Sequence, residues 1–140
     1  MEVLIADDDR TVTRILQHWV HRYGHNADVA FDGLDAWRKL NEKRYDLFIT
    51  DCFMPGMSGM ELSRAIQQAG MEVQIVMVSS SDNPADMFEA KECGIDAYYI
   101  KPIKPSAIHT ALESVDSILA GLKSDRALQQ SLRARKASRY

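Results

Sequence analysis

Five polar side chains with complementary chemistry each follow a short apolar run of the sequence. Asp7 and Asp8 come after the first run, Asp51 after the third, Ser79 after the fourth and Lys101 after the fifth. Open α/β sheets bind ligands outside the carboxyl ends of their parallel strands, which lie along one edge. If these runs are strands, three carboxylates, a hydroxyl and an ammonium group meet at one rim.

Such a rim suits a divalent cation and phosphoryl transfer. Three neighbouring carboxylates stay ionised at neutral pH only with positive charge among them, and Lys101 supplies one such charge. Oxygen donors without histidine or cysteine favour Mg²⁺ over Zn²⁺. The cation and the lysine would neutralise a transferring phosphoryl group, while a carboxylate acts as nucleophile. Asp51 is the best candidate nucleophile, because a central strand would place it between the aspartate pair and the lysine.

Each of these residues alone also has an ordinary structural explanation. An aspartate after a strand commonly caps the next helix, and Asp9 is expected to be such a cap. Asp51 before a Pro-Gly loop would usually be a turn residue, Ser79 a loop hydroxyl and Lys101 a solvated lysine. Their joint placement at four strand ends, in the order that one site requires, favours the functional interpretation.

The elements that must position these residues alternate between strand and helix about five times. Continuous apolar runs predict strands buried on both faces, and the segments between them repeat apolar residues at helical spacing. Strands separated by helix-length segments predict an α/β fold with a doubly wound parallel sheet and helices on both faces. The predicted strands cover residues 3–6, 27–30, 46–50, 73–78 and 97–100, and the last helix begins near residue 105.

Composition is that of one domain of ordinary size. The chain has 140 residues, of which 46% are hydrophobic and 26% charged, which excludes intrinsic disorder. No apolar run approaches the roughly 20 residues that span a bilayer, so no membrane segment is expected. Two cysteines form neither a disulfide framework nor a CxxC metal motif, which favours a reducing cytoplasm.

The net charge of −3 hides an acidic body and a basic tail. Residues 123–140 carry a net charge of +5, and the first 122 residues therefore carry −8. A solvated charge run is the favoured interpretation of the tail, over contact with nucleic acid or an acidic surface. The basic residues of the tail are Lys123, Arg126, Arg133, Arg135, Lys136 and Arg139.

Four stretches around the rim positions resemble those of a bacterial two-component response-regulator receiver domain. They are LIADDD, YDLFITDCFMPGMSGMEL, IVMVSSS and AYYIKP, of which the second is the most specific. The resemblance covers residues 1–122. It implies a flavodoxin-like sheet of five parallel strands in the order 2-1-3-4-5 with five flanking helices, an order that the apolar pattern leaves open.

The resemblance also implies a role for each matching residue. Asp51 corresponds to the aspartate that takes a phosphoryl group from the histidine of a sensor kinase or of a histidine phosphotransfer domain. Asp7 and Asp8 correspond to the acidic pair that organises Mg²⁺, with Asp51 and the backbone carbonyl of Phe53 as further ligands. Lys101 corresponds to the lysine that contacts the phosphoryl group.

Two positions resemble the conformational switch of these receivers. Ser79 corresponds to the hydroxyl residue that shifts toward the phosphoryl group, and Tyr98 to the aromatic residue that turns inward on activation. Packing of Tyr98 on the core is the alternative, with Tyr99 on the opposite face. The bond between Lys101 and Pro102 is expected to be cis.

Two other functions remain as alternatives. A Mg²⁺-dependent phosphohydrolase would normally carry a second aspartate, as general acid, two residues after its nucleophile, and Phe53 occupies that position. A receiver-like module used only for docking is disfavoured because all five rim positions are present. The favoured interpretation is a phosphoacceptor that dephosphorylates itself and is otherwise not an enzyme.

Residues 123–140 match no output domain, so neither direct nucleic-acid binding nor second-messenger synthesis is expected. Residues 108, 112, 115, 119 and 122 form a heptad-like seam, which suggests a homodimer through an elongated last helix. Packing of the seam on the sheet is the alternative, favoured up to about Leu119. The chain is expected to be a stand-alone receiver or part of a longer regulator or hybrid kinase, with an unknown output partner.

Overall fold

The computed structural model describes residues 1–137, with side chains through residue 135, as five strands alternating with five helices. The strands are β1 (Glu2–Ala6), β2 (Asn26–Ala30), β3 (Leu47–Thr50), β4 (Gln74–Ser79) and β5 (Ala97–Ile100). The helices are α1 (Arg10–Arg22), α2 (Gly33–Glu42), α3 (Gly59–Gln68), α4 (Pro84–Glu92) and α5 (Pro105–Ala137).

All neighbouring strands are parallel, in the order β2-β1-β3-β4-β5. The predicted α/β class and the order implied by the resemblance are therefore confirmed. In the pairing register Ile5 of β1 lies beside Ile49 of β3, and Ile49 lies beside Val76 of β4. Strands β1 and β3 thus end at the same height and β4 runs two residues further, and the residues at these three ends share one rim.

The central strands are buried because helices cover both faces of the sheet. On one face, alternate residues such as Leu4, Phe48 and Met77 pack in a single core with residues of α2, α3 and α4. On the other face, Ile5 and Val76 are among those that pack with residues of α1 and α5. Successive residues of a strand point to opposite faces, so continuous apolar runs contribute to both cores.

The cap predicted at Asp9 is present. The Asp9 carboxylate accepts hydrogen bonds from the backbone N–H groups of Thr11 and Val12, the first at 2.9 Å. These bonds satisfy donors that the first turn of a helix leaves unpaired. The chain therefore turns from β1 directly into α1, with Asp7 and Asp8 held between the two elements.

Helix α5 is longer than packing on the sheet requires. Ile108, Leu112 and Val115 are buried and Leu119 is half-buried, whereas Leu122 is 46% exposed. The seam therefore packs on the sheet up to Leu119, as the alternative to dimer pairing expected. Side chains from 120 to 135 are all exposed, and residues 138–140 of the predicted tail, including Arg139, lie outside the described residues.

Membrane spanning has no support in the described part of the chain. None of its helices combines the length and the apolar character that crossing a bilayer requires.

Candidate functional site

The rim at the carboxyl end of the sheet brings Asp7, Asp8, Asp51 and Lys101 together. Backbone hydrogen bonds fix the segments that follow the strands: the N–H of Asp51 donates to the carbonyl of Ala6 at 2.9 Å, and the N–H of Lys101 donates to the carbonyl of Ser79 at 2.8 Å. These bonds continue the β1–β3 and β4–β5 pairings beyond the strands. The site thus rests on the rigid part of the fold.

Three carboxylates form the acidic part of the rim. Oxygens of Asp7, Asp8 and Asp51 all lie within 4.8 Å of one another. Asp7 and Asp51 are buried and Asp8 is exposed, so the cluster opens to solvent on one side. An all-oxygen cluster with one accessible edge fits a hard divalent cation that keeps some of its water ligands. These residues could therefore hold a metal ion.

Lys101 is the cation of the rim. Its ammonium donates a hydrogen bond to Asp7 Oδ2 at 2.7 Å and lies 3.4 Å from Asp51 Oδ2. Burial of Lys101 lowers the pKa of its ammonium, but the hydrogen bond that it donates to Asp7 and the charges of Asp51 and Asp7 outweigh that effect and raise the pKa overall. The ammonium stays charged and offsets part of the negative charge of the two carboxylates.

Asp51 is held in a defined orientation. Its Oδ1 accepts a hydrogen bond from the backbone N–H of Cys52 at 2.8 Å, while its Oδ2 faces Lys101. Burial and the charge of Asp7 raise the pKa of the Asp51 carboxyl, against the opposing charge of Lys101. The ionised form of the Asp51 side chain is therefore less favourable in the folded protein than in water. A bound cation would offset this cost.

Glycine at position 59 allows the loop after Asp51 to close. The N–H of Gly59 donates to the carbonyl of Cys52 at 2.8 Å. A Cβ atom on Gly59 would lie 2.2 Å from the carbonyl oxygen of Asp51, a contact that no side chain tolerates. The Pro-Gly loop noted in the sequence thus ends in a close backbone approach that secures Asp51.

The neighbouring thiol is inert. Burial, followed by the charge of Asp51, raises the pKa of Cys52 to about 11. Cys52 therefore stays protonated at neutral pH and does not compete with Asp51 as a nucleophile, because the thiolate is the reactive form of cysteine.

Ser79 and Tyr98 lie on two neighbouring strands. Ser79 is fully buried at the end of β4, and its Oγ accepts a hydrogen bond from the N–H of Ser81 at 3.2 Å. Tyr98 is half-buried against one core and Tyr99 against the other, as their alternation in β5 predicts. The Tyr98 hydroxyl donates to the carbonyl of Ser81 at 2.8 Å.

Ser81 is the site residue that sequence alone does not distinguish. It belongs to a run of three serines, and only the fold shows that Ser81 contacts both Ser79 and Tyr98. The expected cis bond is present between Lys101 and Pro102. Phe53, by contrast, has a side chain that is 64% exposed beside the rim.

The raised pKa of Asp51 predicts a stability effect. A group whose pKa is raised by folding stabilises the fold while it is protonated, and this contribution is lost as the pH rises through the folded pKa. Asparagine stays neutral. In buffer free of divalent cations, we therefore expect Asp51→Asn to unfold at a higher temperature than the parent protein at pH 7.

This difference should shrink as the pH falls toward the ordinary aspartate pKa, about 4, because Asp51 then becomes protonated. Thermal unfolding followed by circular dichroism at pH 7 and pH 4 measures it. Equal unfolding temperatures at pH 7, or a lower one for Asp51→Asn, would show that Asp51 is not destabilised as an anion.

Comparison with known proteins places this arrangement in context. The family model described as response regulator receiver domain matches residues 3–113. The chemotaxis protein CheY1 of Helicobacter pylori is 32% identical over 119 residues, covering 82% of this chain and 96% of that protein.

The alkaline phosphatase synthesis transcriptional regulatory protein PhoP of Bacillus subtilis is 26% identical over 114 residues. The match covers 81% of this chain and 48% of PhoP, so the chain spans about half the length of that relative. Among solved structures, the chemotaxis response regulator CheY4 of Vibrio cholerae superposes with a TM-score of 0.76 at 28% identity, covering 81% of this chain and 97% of CheY4.

Proposed function

The chain belongs to the response regulator receiver domain family of two-component systems, and on that premise we propose that Asp51 is its phosphoacceptor. The observation that carries the proposal is the position of the Lys101 ammonium, which lies 2.7 Å from Asp7 and 3.4 Å from Asp51. A buried carboxylate oriented beside one ammonium and two further carboxylates is suited to phosphoryl transfer.

The transfer itself needs no other nucleophile. An Asp51 carboxylate oxygen forms a bond to phosphorus as the phosphorus–nitrogen bond of a phosphohistidine breaks, and the released imidazole takes up a proton. The donor would be a sensor histidine kinase or a histidine phosphotransfer protein. Lys101 is close enough to follow the negative charge from the carboxylate to the phosphoryl oxygens.

We assign the acidic cluster to Mg²⁺. Asp7, Asp8 and Asp51 would hold the ion, with the backbone carbonyl of Phe53 as a further ligand. When bound, the ion would supply positive charge that offsets the developing charge of the phosphoryl group. The all-oxygen donor set and the exposed edge at Asp8 support this assignment.

Movement of Ser79 and Tyr98 would transmit the phosphorylation signal to the surface that a partner contacts. Phosphorylation adds close to two negative charges at the rim, which biases the equilibrium between two arrangements of the neighbouring loops. The surface formed by α4, β5 and α5 would be the one that a partner or a linked output domain contacts. Apolar side chains are already exposed there, including Phe88 on α4 and Ile100 on β5.

We propose that the chain divides into a receiver domain and a basic tail. Residues 1–122 would form the receiver, and 123–140 would form a basic tail, helical as far as Ala137. The receiver would act in the cytoplasm, where its free, buried Cys52 and Cys93 stay reduced. We do not expect the tail to bind nucleic acid directly.

A second copy of the chain is the proposed partner of the exposed end of α5. Apolar side chains at Ile118, Leu122, Leu128 and Leu132 are exposed along it. A parallel pair would place the basic ends side by side, whereas an antiparallel pair would place each basic end beside the acidic body of the other copy. Charge therefore favours the antiparallel arrangement.

A phosphohydrolase finds no support at the rim. Phe53 holds the position where such an enzyme would carry its general acid, and its apolar ring cannot donate a proton. The chain would instead lose its phosphoryl group only by slow reaction with water.

Phe53 sets the expected rate of that loss. Its large exposed ring stands two residues after Asp51, where it would hinder the approach of water to the acyl phosphate. We expect Phe53→Asn to shorten the lifetime of the phosphorylated protein, because a smaller polar side chain admits and orients water. The decay of the phosphorylated mass after donor removal measures this lifetime, and Phe53→Leu, which keeps an apolar side chain, is the control. An unchanged lifetime in Phe53→Asn would remove the shielding role.

The proposal as a whole is tested by incubation with Mg²⁺ and a small acyl phosphate. The expected result is a gain of one phosphoryl mass, which a chelator present from the start of the incubation should prevent. No gain would overturn the function proposed here.

A further inference from the structure

Ser81 makes hydrogen bonds to three different parts of the molecule. Its backbone N–H donates to Ser79 Oγ at 3.2 Å, and its carbonyl accepts from the Tyr98 hydroxyl at 2.8 Å. Its own hydroxyl donates to the carboxylate of Asp86 and accepts from the N–H of Asn83 at 3.2 Å. One residue therefore links the end of β4, the tyrosine of β5 and the first turn of α4.

Helix α4 has few buried side chains, so its polar contacts, namely this link and the ion pair of Glu89 with Arg64 at 3.0 Å, help to set its position. Within Pro84–Glu92, Ala90 is the single buried residue. Met87 and Phe88 are exposed rather than packed on the sheet. An element with so few buried apolar contacts lies at the low-stability end of a fold, and polar contacts at its terminus can set its position.

The bond from Ser81 to Ser79 competes with the proposed chemistry. In the structure the Ser79 oxygen faces the Ser81 N–H. If the Ser79 side chain rotates so that its oxygen moves toward a phosphoryl group on Asp51, the half-buried N–H of Ser81 loses its partner, and an unpaired donor shielded from water is costly. The Ser81 backbone must then shift, and its carbonyl and hydroxyl shift with it.

We propose that Ser81 is a positioning residue that relays the position of the Ser79 hydroxyl to α4 through its bond to the Asp86 carboxylate. The relay rests on the proposed function, since the phosphoryl group on Asp51 is what moves Ser79. Asp86 lies in the first turn of α4, where an acidic side chain is also favoured by the helix dipole. Movement of Ser81 therefore acts directly on the end of the helix.

Hydrogen–deuterium exchange of the peptides covering residues 82–93 tests the relay. Exchange is measured with and without a small acyl phosphate in the presence of Mg²⁺, and the phosphoryl mass of each variant is recorded in parallel. We expect the parent protein to change exchange in α4 on phosphorylation. In Ser81→Ala and in Asp86→Ala, the phosphoryl mass should be gained as before, while the change in α4 falls about fivefold, as expected for one lost hydrogen bond.

Two further variants separate the relay from a general loss of structure. Ser81→Thr retains the hydroxyl and should restore the response of α4, and Ser80→Ala removes an exposed neighbouring hydroxyl and should leave the response unchanged. A full α4 response in either Ser81→Ala or Asp86→Ala would overturn the relay, as would failure of Ser81→Thr to restore it. Absence of phosphoryl mass in the parent protein would instead overturn the function proposed for Asp51.

Discussion

Replacing Asp51 with asparagine is expected to abolish phosphoryl uptake from a small acyl phosphate. The amide keeps the size of the side chain and can still accept the hydrogen bond from Cys52, but it lacks the carboxylate nucleophile. The other two carboxylates of the cluster do not replace it. Asp7 is tied to Lys101 by the 2.7 Å hydrogen bond, and Asp8 lies at the exposed edge of the cluster.

Intact-protein mass after incubation with donor and Mg²⁺ measures the effect. Asp32→Asn is the matched control, because Asp32 caps α2 and asparagine caps helices equally well. The control should gain one phosphoryl mass as the parent protein does. Uptake by Asp51→Asn at the parent rate would show that a different residue is the acceptor.

Replacing Asp8 with asparagine is expected to weaken Mg²⁺ binding by at least about tenfold, because a charged oxygen ligand becomes a neutral one. Asp8 is the carboxylate of the cluster that solvent reaches, so its loss removes charge without leaving a buried group unpaired. Calorimetric titration with Mg²⁺ measures the affinity. Phosphoryl uptake at limiting Mg²⁺ should fall in the same variant.

Asp9→Asn is the control for this measurement. Asp9 is the adjacent aspartate and caps α1, a role that asparagine fills as well. Its Mg²⁺ affinity should match that of the parent protein. Equal affinities for Asp8→Asn and the parent protein would remove Asp8 from the metal site.

The rim was accessible to prediction because it depends on strand ends and not on side-chain detail. A polar residue after a buried strand must lie at the carboxyl edge of a parallel sheet, whichever order the strands take. That rule alone brings Asp7, Asp8, Asp51 and Lys101 together, as the structure does. The strand order needed the family resemblance, because apolar runs of similar length and composition do not specify their neighbours.

The contacts of Ser81 were not accessible in this way. Three consecutive serines have the same propensities, and their roles differ only because β4 ends at Ser79 and α4 begins at Pro84.

The full length of α5 could not be predicted from the sequence either. Helical spacing of apolar residues predicts the part of α5 that packs on the sheet, but beyond Leu119 the helix continues without a buried face. Packing cannot specify a segment whose described side chains are all exposed.

Mapping the phosphoryl group in the unmodified protein tests the central claim most directly. The parent protein is incubated with Mg²⁺ and a small acyl phosphate, digested at acidic pH to preserve the acyl phosphate, and its peptides are fragmented by tandem mass spectrometry. We expect one phosphoryl group, located on Asp51. A phosphoryl group on any other residue, or an unmodified peptide containing Asp51 in a protein that has gained the mass, would contradict it.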